Sequence, residues 1–178
     1  MKAPIDLHPD DAITRLMLRD LLVHYRHRAN LSQRALGRKL DLTQTTIARH
    51  EAGQSWMLFT LYRWAPAVGG RLLLRPVGLP DAPDEVQALA AMRPADLTRG
   101  HEYTRAALAA ELTAARIALG VTREELGEVL DCAESGIREL EAARGDTLLG
   151  TVQRHCRALG GALWIGLEPL PVEQMAAA

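Results

Sequence analysis

The chain is short of the residues that build bulky cores and cross-link small folds. Its 178 residues include one Phe, three Tyr and three Trp. Cores must then come from Leu, Ala, Val and Ile, and Leu and Ala are strong helix formers. Only two cysteines occur, Cys132 and Cys156, 24 positions apart and without a metal-type spacing. That excludes a disulfide framework. Buried reduced thiols are expected, with a bond joining the two as the weaker alternative. No apolar run reaches membrane-span length, and Met1 to Leu7 lacks a signal-peptide core. A cytoplasmic protein without a membrane partner is expected. A Gly-rich phosphate loop and a Ser-His-Asp grouping are both missing, so neither an enzyme nor a cofactor is expected. His24, His27 and His50 have no acidic or sulfur partner at ligand spacing, so no metal site is expected.

What the chain does have is a split charge. The net charge is −1, yet residues 1–78 hold 12 Lys and Arg against 6 Asp and Glu. Residues 79–178 hold 9 against 16. Charge by half is the informative quantity, and the basic half is the one suited to a polyanion.

The halves are also copies. Leu31-Ser32-Gln33-Arg34-Ala35-Leu36-Gly37 aligns with Val121-Thr122-Arg123-Glu124-Glu125-Leu126-Gly127 at an offset of 90. Ile47, Glu51 and Ala52 fall on Ile137, Glu141 and Ala142 at the same offset. After a one-residue insertion, Val68-Gly69-Gly70 faces Leu159-Gly160-Gly161. Two copies are too few for a solenoid, so two domains are expected: 1–78, a linker with a short helix at 79–100, and 101–178.

Helices are expected at 12–29, 32–40, 44–52 and 57–67, then at 102–118, 122–130, 134–143 and 147–159. Ile13, Leu16, Met17, Leu21 and Leu22 give the first its apolar period. Ser32, Thr43 and Thr122 read as N-caps and Gly53 as a helix stop. Residues 71–75 and 163–167 read as strands, either pairing with each other or across a dimer. Residues 1–10 and 169–178 are expected to be loose, and the Pro-rich run 78–84 to open the linker, with a helix at about 83–92.

The run Leu31-Ser32-Gln33-x-Ala35-Leu36-Gly37-x-x-Leu40-Asp41-Leu42-Thr43-Gln44-Thr45-Thr46-Ile47-Ala48-Arg49-His50-Glu51-Ala52-Gly53 resembles the Cro/C1-type helix-turn-helix of phage repressors and xenobiotic-response-element regulators. The resemblance covers about a third of the chain, residues 18–76. It implies an all-α fold of two tandem five-helix, lambda-repressor-like domains, each followed by a short β-strand. Ala35, Leu36, Leu40, Leu42 and Ile47 would close the motif core. Glu51 would tie the helix end to an upstream Arg.

The resemblance also places the second helix of the pair in a DNA major groove. Gln44, Thr45 and Arg49 would then meet base edges, since Gln suits adenine and Arg suits guanine. Ser32, Gln33, Arg34, Thr46, Arg38 and Lys39 would contact phosphates. Phe59, Tyr62, Trp56 and Trp64 cluster just beyond, with Phe59 expected in the core and Trp56 either core or dimer contact.

In the second copy Glu134 replaces Gln44 and Glu139 replaces Arg49. Between Thr122 and Gly145 there are 3 basic and 7 acidic residues, which would repel phosphates. Gly136 weakens that helix intrinsically. This copy is read as an assembly module, with a protein-docking surface and a second DNA contact through Arg123, Ser135 and Arg138 as alternatives.

The expected function is a sequence-specific transcriptional regulator, a repressor occupying an operator in double-stranded DNA, nucleoid-associated in a bacterium or phage-infected cell. It would act as a homodimer or an intrachain pseudo-dimer. The alternative is an antitoxin that autoregulates its operon and binds a partner protein through its acidic half.

Overall fold

The computed structural model describes residues 8–53, 55–80 and 97–170. The linker helix at about 83–92 and most of both expected loose ends fall outside these residues. The order of elements is α1 (Pro9–Arg28), α2 (Gln33–Leu40), α3 (Gln44–Glu51), α4 (Leu58–Ala67), β1 (Gly70–Val77), α5 (Leu97–Ala118), α6 (Arg123–Leu130), α7 (Glu134–Glu141), α8 (Leu149–Ala158) and β2 (Ala162–Pro169).

This corrects the all-α expectation of two five-helix domains. The described residues hold eight helices, four ahead of each strand, and β1 and β2 pair into a two-stranded sheet. The pairing is antiparallel: Leu170 N–H donates to Gly69 C=O at one end, and Gly161 packs on Val77 at the other. The reason lies in the backbone. A lone strand leaves a row of amides unmatched, and the copied strand supplies the partner. The resulting strands are longer than the five-residue apolar runs visible in sequence.

Contact clustering divides the chain into two units, neither of them contiguous in sequence. The described part of unit one is 8–53 and 55–73 with 148–150 and 165–170. That of unit two is 74–80 and 97–147 with 151–164. Each unit thus contains part of both strands.

Unit one packs Leu18, Leu22, Leu36, Leu40, Ile47, Leu58, Leu61 and Trp64 at or near zero exposure. Trp56 is buried and stacks on Trp64 at 5.8 Å, which makes it core. Phe59 differs from expectation: it is 40% exposed, with the Arg63 guanidinium 5.4 Å above its ring. On α1 the buried stripe is Asp11, Leu18, Leu22 and Arg26, while Ile13, Leu16, Met17 and Leu21 are exposed. The helix carries two apolar stripes, and only one meets the core.

Unit two repeats the arrangement with Leu108, Leu112, Ala115, Leu126, Ile137, Val152 and Leu159 buried. Cys156 is buried as expected, but Cys132 is exposed, because it lies in the turn where Leu42 lies in the first copy. No disulfide joins them.

Candidate nucleic-acid interface

The surface of interest is built by α2, a three-residue turn and α3. Ser32 opens α2 by accepting from Ala35 N–H at 3.1 Å. Asp41 ends it in the left-handed region (φ 56°), a conformation Asp tolerates better than most residues. The turn closes tightly. A Cβ at Gly37 would stand 2.6 Å from the Leu42 carbonyl oxygen, so the missing side chain at Gly37 admits the approach. Thr43 then caps α3, accepting from Thr46 N–H at 3.1 Å. Gly53 follows α3 at φ +90°.

One ion pair locks this unit to α1. Arg26 Nε donates to Glu51 Oε1 at 2.6 Å, and its Nη1 to the Leu31 carbonyl at 2.7 Å. Gln33 Nε2 donates to Glu51 Oε2 at 2.8 Å. The α2 start and the α3 end are thereby held by a single carboxylate. Both partners of the ion pair are largely buried, so breaking it would strand a charge.

The residues singled out in sequence separate into two groups. Gln44, Thr45 and Arg49 are exposed on α3, and Arg34 and Arg38 on α2; among the described residues none has a hydrogen-bond or ion-pair partner. Thr45 and Arg49, four apart, share a helix face. The second group is engaged internally. Gln33 turns in to Glu51, Thr46 Oγ1 lies 2.9 Å from Thr43 Oγ1, and Lys39 reaches the Ala67 carbonyl at 3.4 Å. Ser32 Oγ is occupied by its cap.

His50 sits behind the surface, edge-on to both Trp56 and Trp64 at 5.9 Å. Burial pushes its imidazole below the ordinary value. It is a packing residue of α3.

Unit two holds the same lock on a different surface. Arg116 donates to Glu141 at 2.5 Å and to the Val121 carbonyl at 2.7 Å. Here Arg123 takes the place of Gln33 and pairs with Glu141 Oε2 at 2.6 Å. Burial pushes the Glu141 carboxyl up, but the hydrogen bonds from Arg116 and Arg123 outweigh it and hold the group below the usual range. Arg123 is therefore spoken for, whereas Ser135 and Arg138 are exposed. Around them the surface is acidic: Glu124, Glu128, Asp131 and Glu134 line a shallow recess of about 410 Å³ beside Cys132. Thr122 and Glu125 form a complete capping box at α6, but α7 starts at Ala133 with no side-chain cap.

The upstream Arg expected to hold Glu51 is Arg26, and its copy Arg116, which the sequence did not single out, holds Glu141. The signal was present, since they are identical residues at the 90-residue offset.

No family model, curated protein or solved structure matches this chain. Among the described residues no helix is long and apolar enough to cross a membrane, and no three His, Cys, Asp or Glu side chains gather as metal ligands.

Proposed function

We propose that the chain is a sequence-specific DNA-binding transcriptional regulator, acting as a repressor by occupying an operator. The observation that carries this is α3 of unit one: a capped helix, braced at its end by Glu51, offering Gln44, Thr45 and Arg49 to solvent, with Arg34 and Arg38 exposed on α2. An amide and a guanidinium on a rigid helix suit adenine and guanine edges in a major groove. The flanking cations supply the phosphate attraction that nucleic-acid affinity rests on. The likeness of residues 31–53 to Cro/C1-type regulators supports the same reading. On this reading the protein works near the nucleoid of a bacterium or phage-infected cell and has no catalytic step.

Selection of bound duplexes from a random-sequence pool by the full chain tests the proposal. An enriched motif that is lost on Gln44→Ala/Arg49→Ala is the expected result. No enrichment at moderate salt would rule it out.

The acidic recess of unit two favours a second reading for that half. Four carboxylates repel phosphate, and they suit a basic protein partner, as in an antitoxin that also regulates its own operon. Capture of a small basic protein by the wild-type chain, lost when Glu124 and Glu128 become Lys, would support it.

A further inference from the structure

α1 carries an apolar stripe that its own unit does not use. Ile13 is 55% exposed, Leu16 47%, Met17 62% and Leu21 39%. Ile13, Met17 and Leu21 are spaced four apart with Leu16 beside them, so they line one side of the helix. The opposite side, Leu18, Leu22 and Arg26, meets the core. The stripe is no by-product of the shared fold. At the same registers the second copy has Tyr103, Ala106, Ala107 and Glu111, so the run of large aliphatic side chains belongs to the first copy alone.

We propose that this stripe is a self-association surface, on which α1 of a second copy packs antiparallel across a twofold axis at Met17. The spacing is symmetric about that residue. An antiparallel partner brings Ile13 opposite Leu21 and Met17 opposite Met17. The same register brings Asp10, which already lies 3.5 Å from His8 Nδ1 of its own chain, opposite His24, both exposed. A carboxylate thus faces an imidazole at each end of the contact. A parallel pair would instead set Asp10 on Asp10 and His24 on His24. Asp20, which also borders the stripe, is covered by its neighbour Arg19 at 2.7 Å and brings no uncompensated charge to the centre. An isologous contact of this kind is the usual way two identical chains close on each other. A contact of one helix stripe on its copy belongs with the small, weak associations rather than with standard interfaces of about 1,600 Å². This inference does not depend on the DNA-reading proposal, because its test contains no DNA.

The test is sedimentation equilibrium of the full chain across micromolar concentrations. A reversible monomer–dimer equilibrium is expected, and Met17→Glu, which sets two carboxylates face to face, should raise the dimer Kd by about tenfold or more. Asp10→Lys and His24→Glu should each weaken the dimer, and the double exchange should restore it. In a Cys132→Ser background, Met17→Cys should cross-link two copies under mild oxidation. The proposal is overturned by a monomer at every concentration, by a dimer indifferent to Met17→Glu, or by a double exchange that fails to recover.

Discussion

Arg26 and Glu51, 25 residues apart, are joined at 2.6 Å with 7% and 10% of their side chains exposed, and Arg116 and Glu141 repeat the pairing at 2.5 Å. The same carboxylate also receives Gln33 in one unit and Arg123 in the other. Replacing Glu51 by Ala removes the acceptor and leaves the Arg26 guanidinium buried and unpaired. A loss of about 3–5 kcal/mol is expected from urea unfolding of the full chain. Glu51→Gln, which keeps an acceptor, should cost less. Equal losses from both would show that an acceptor without its charge does not hold α3 to α1.

Base-reading and phosphate-steering side chains should separate in a binding assay. Gln44→Ala and Arg49→Ala should each weaken binding to a selected site by about 1–3 kcal/mol and relax preference at one position. Arg34→Ala/Arg38→Ala should weaken all duplexes alike and flatten the salt dependence by roughly two phosphate contacts. All four positions are exposed, so the melting temperature should hold. Loss of preference in the Arg34/Arg38 variant would assign the reading to the wrong helix.

His155 makes unit two sensitive to acid. It has no exposed surface and neither ring nitrogen has a partner among the described residues. Burial pushes its imidazole down to about 4, with Glu141 pulling it back up and Arg116 adding to the fall. The unfolded chain protonates near pH 6.5, so between there and about pH 4 it binds the proton that the folded state refuses. Stability is therefore full above pH 6.5 and declines as pH falls through that window, by about 3 kcal/mol in all. His155→Leu should flatten this limb of the stability curve. A wild-type limb unchanged by that substitution would assign the acid sensitivity elsewhere.

The end of α7 is strained where the end of α3 is not. Ala143 follows α7 at φ 52°, the place occupied after α3 by Gly53 at φ +90°. Left-handed backbone costs a residue with a Cβ about 1–2 kcal/mol, and glycine returns part of that as unfolded-state entropy. Ala143→Gly should stabilise by about 0.5–1 kcal/mol in thermal or urea melts, while Gly53→Ala should destabilise. A destabilising Ala143→Gly would show that the methyl is packed.

Local signals carried well from sequence to structure. Ser32, Thr43 and Thr122 cap the helices expected of them because a hydroxyl and an amide three residues on meet within one turn. Both Gly37 and Gly127 are needed at a close backbone approach, and the repeat had already aligned them. What failed were questions of which face looks inward. Ile13, Met17 and Leu21 keep as good a helical period as Leu18 and Leu22, and period alone does not choose between them. The repeat could have chosen, since Leu18 and Leu22 recur as Leu108 and Leu112 while the other stripe does not. Gln33 was assigned outward to phosphate because its inward partner, Glu51, lies 18 residues away. The pairing of 71–75 with 163–167 was legible as one of two alternatives, because each strand on its own lacks a hydrogen-bond partner, and the structure takes it.

The exchange of segments between the units bears on how the gene can be cut. Unit one draws Leu149 N–H onto the Trp56 carbonyl, Glu168 onto Arg71 and Leu170 onto Gly69, all from far downstream. A stop codon in the linker would strip each of these from the amino-terminal half and leave β1 with a bare edge. Truncation alleles should therefore behave as nulls or aggregators rather than as freed DNA readers, and the two halves would have to be inherited together.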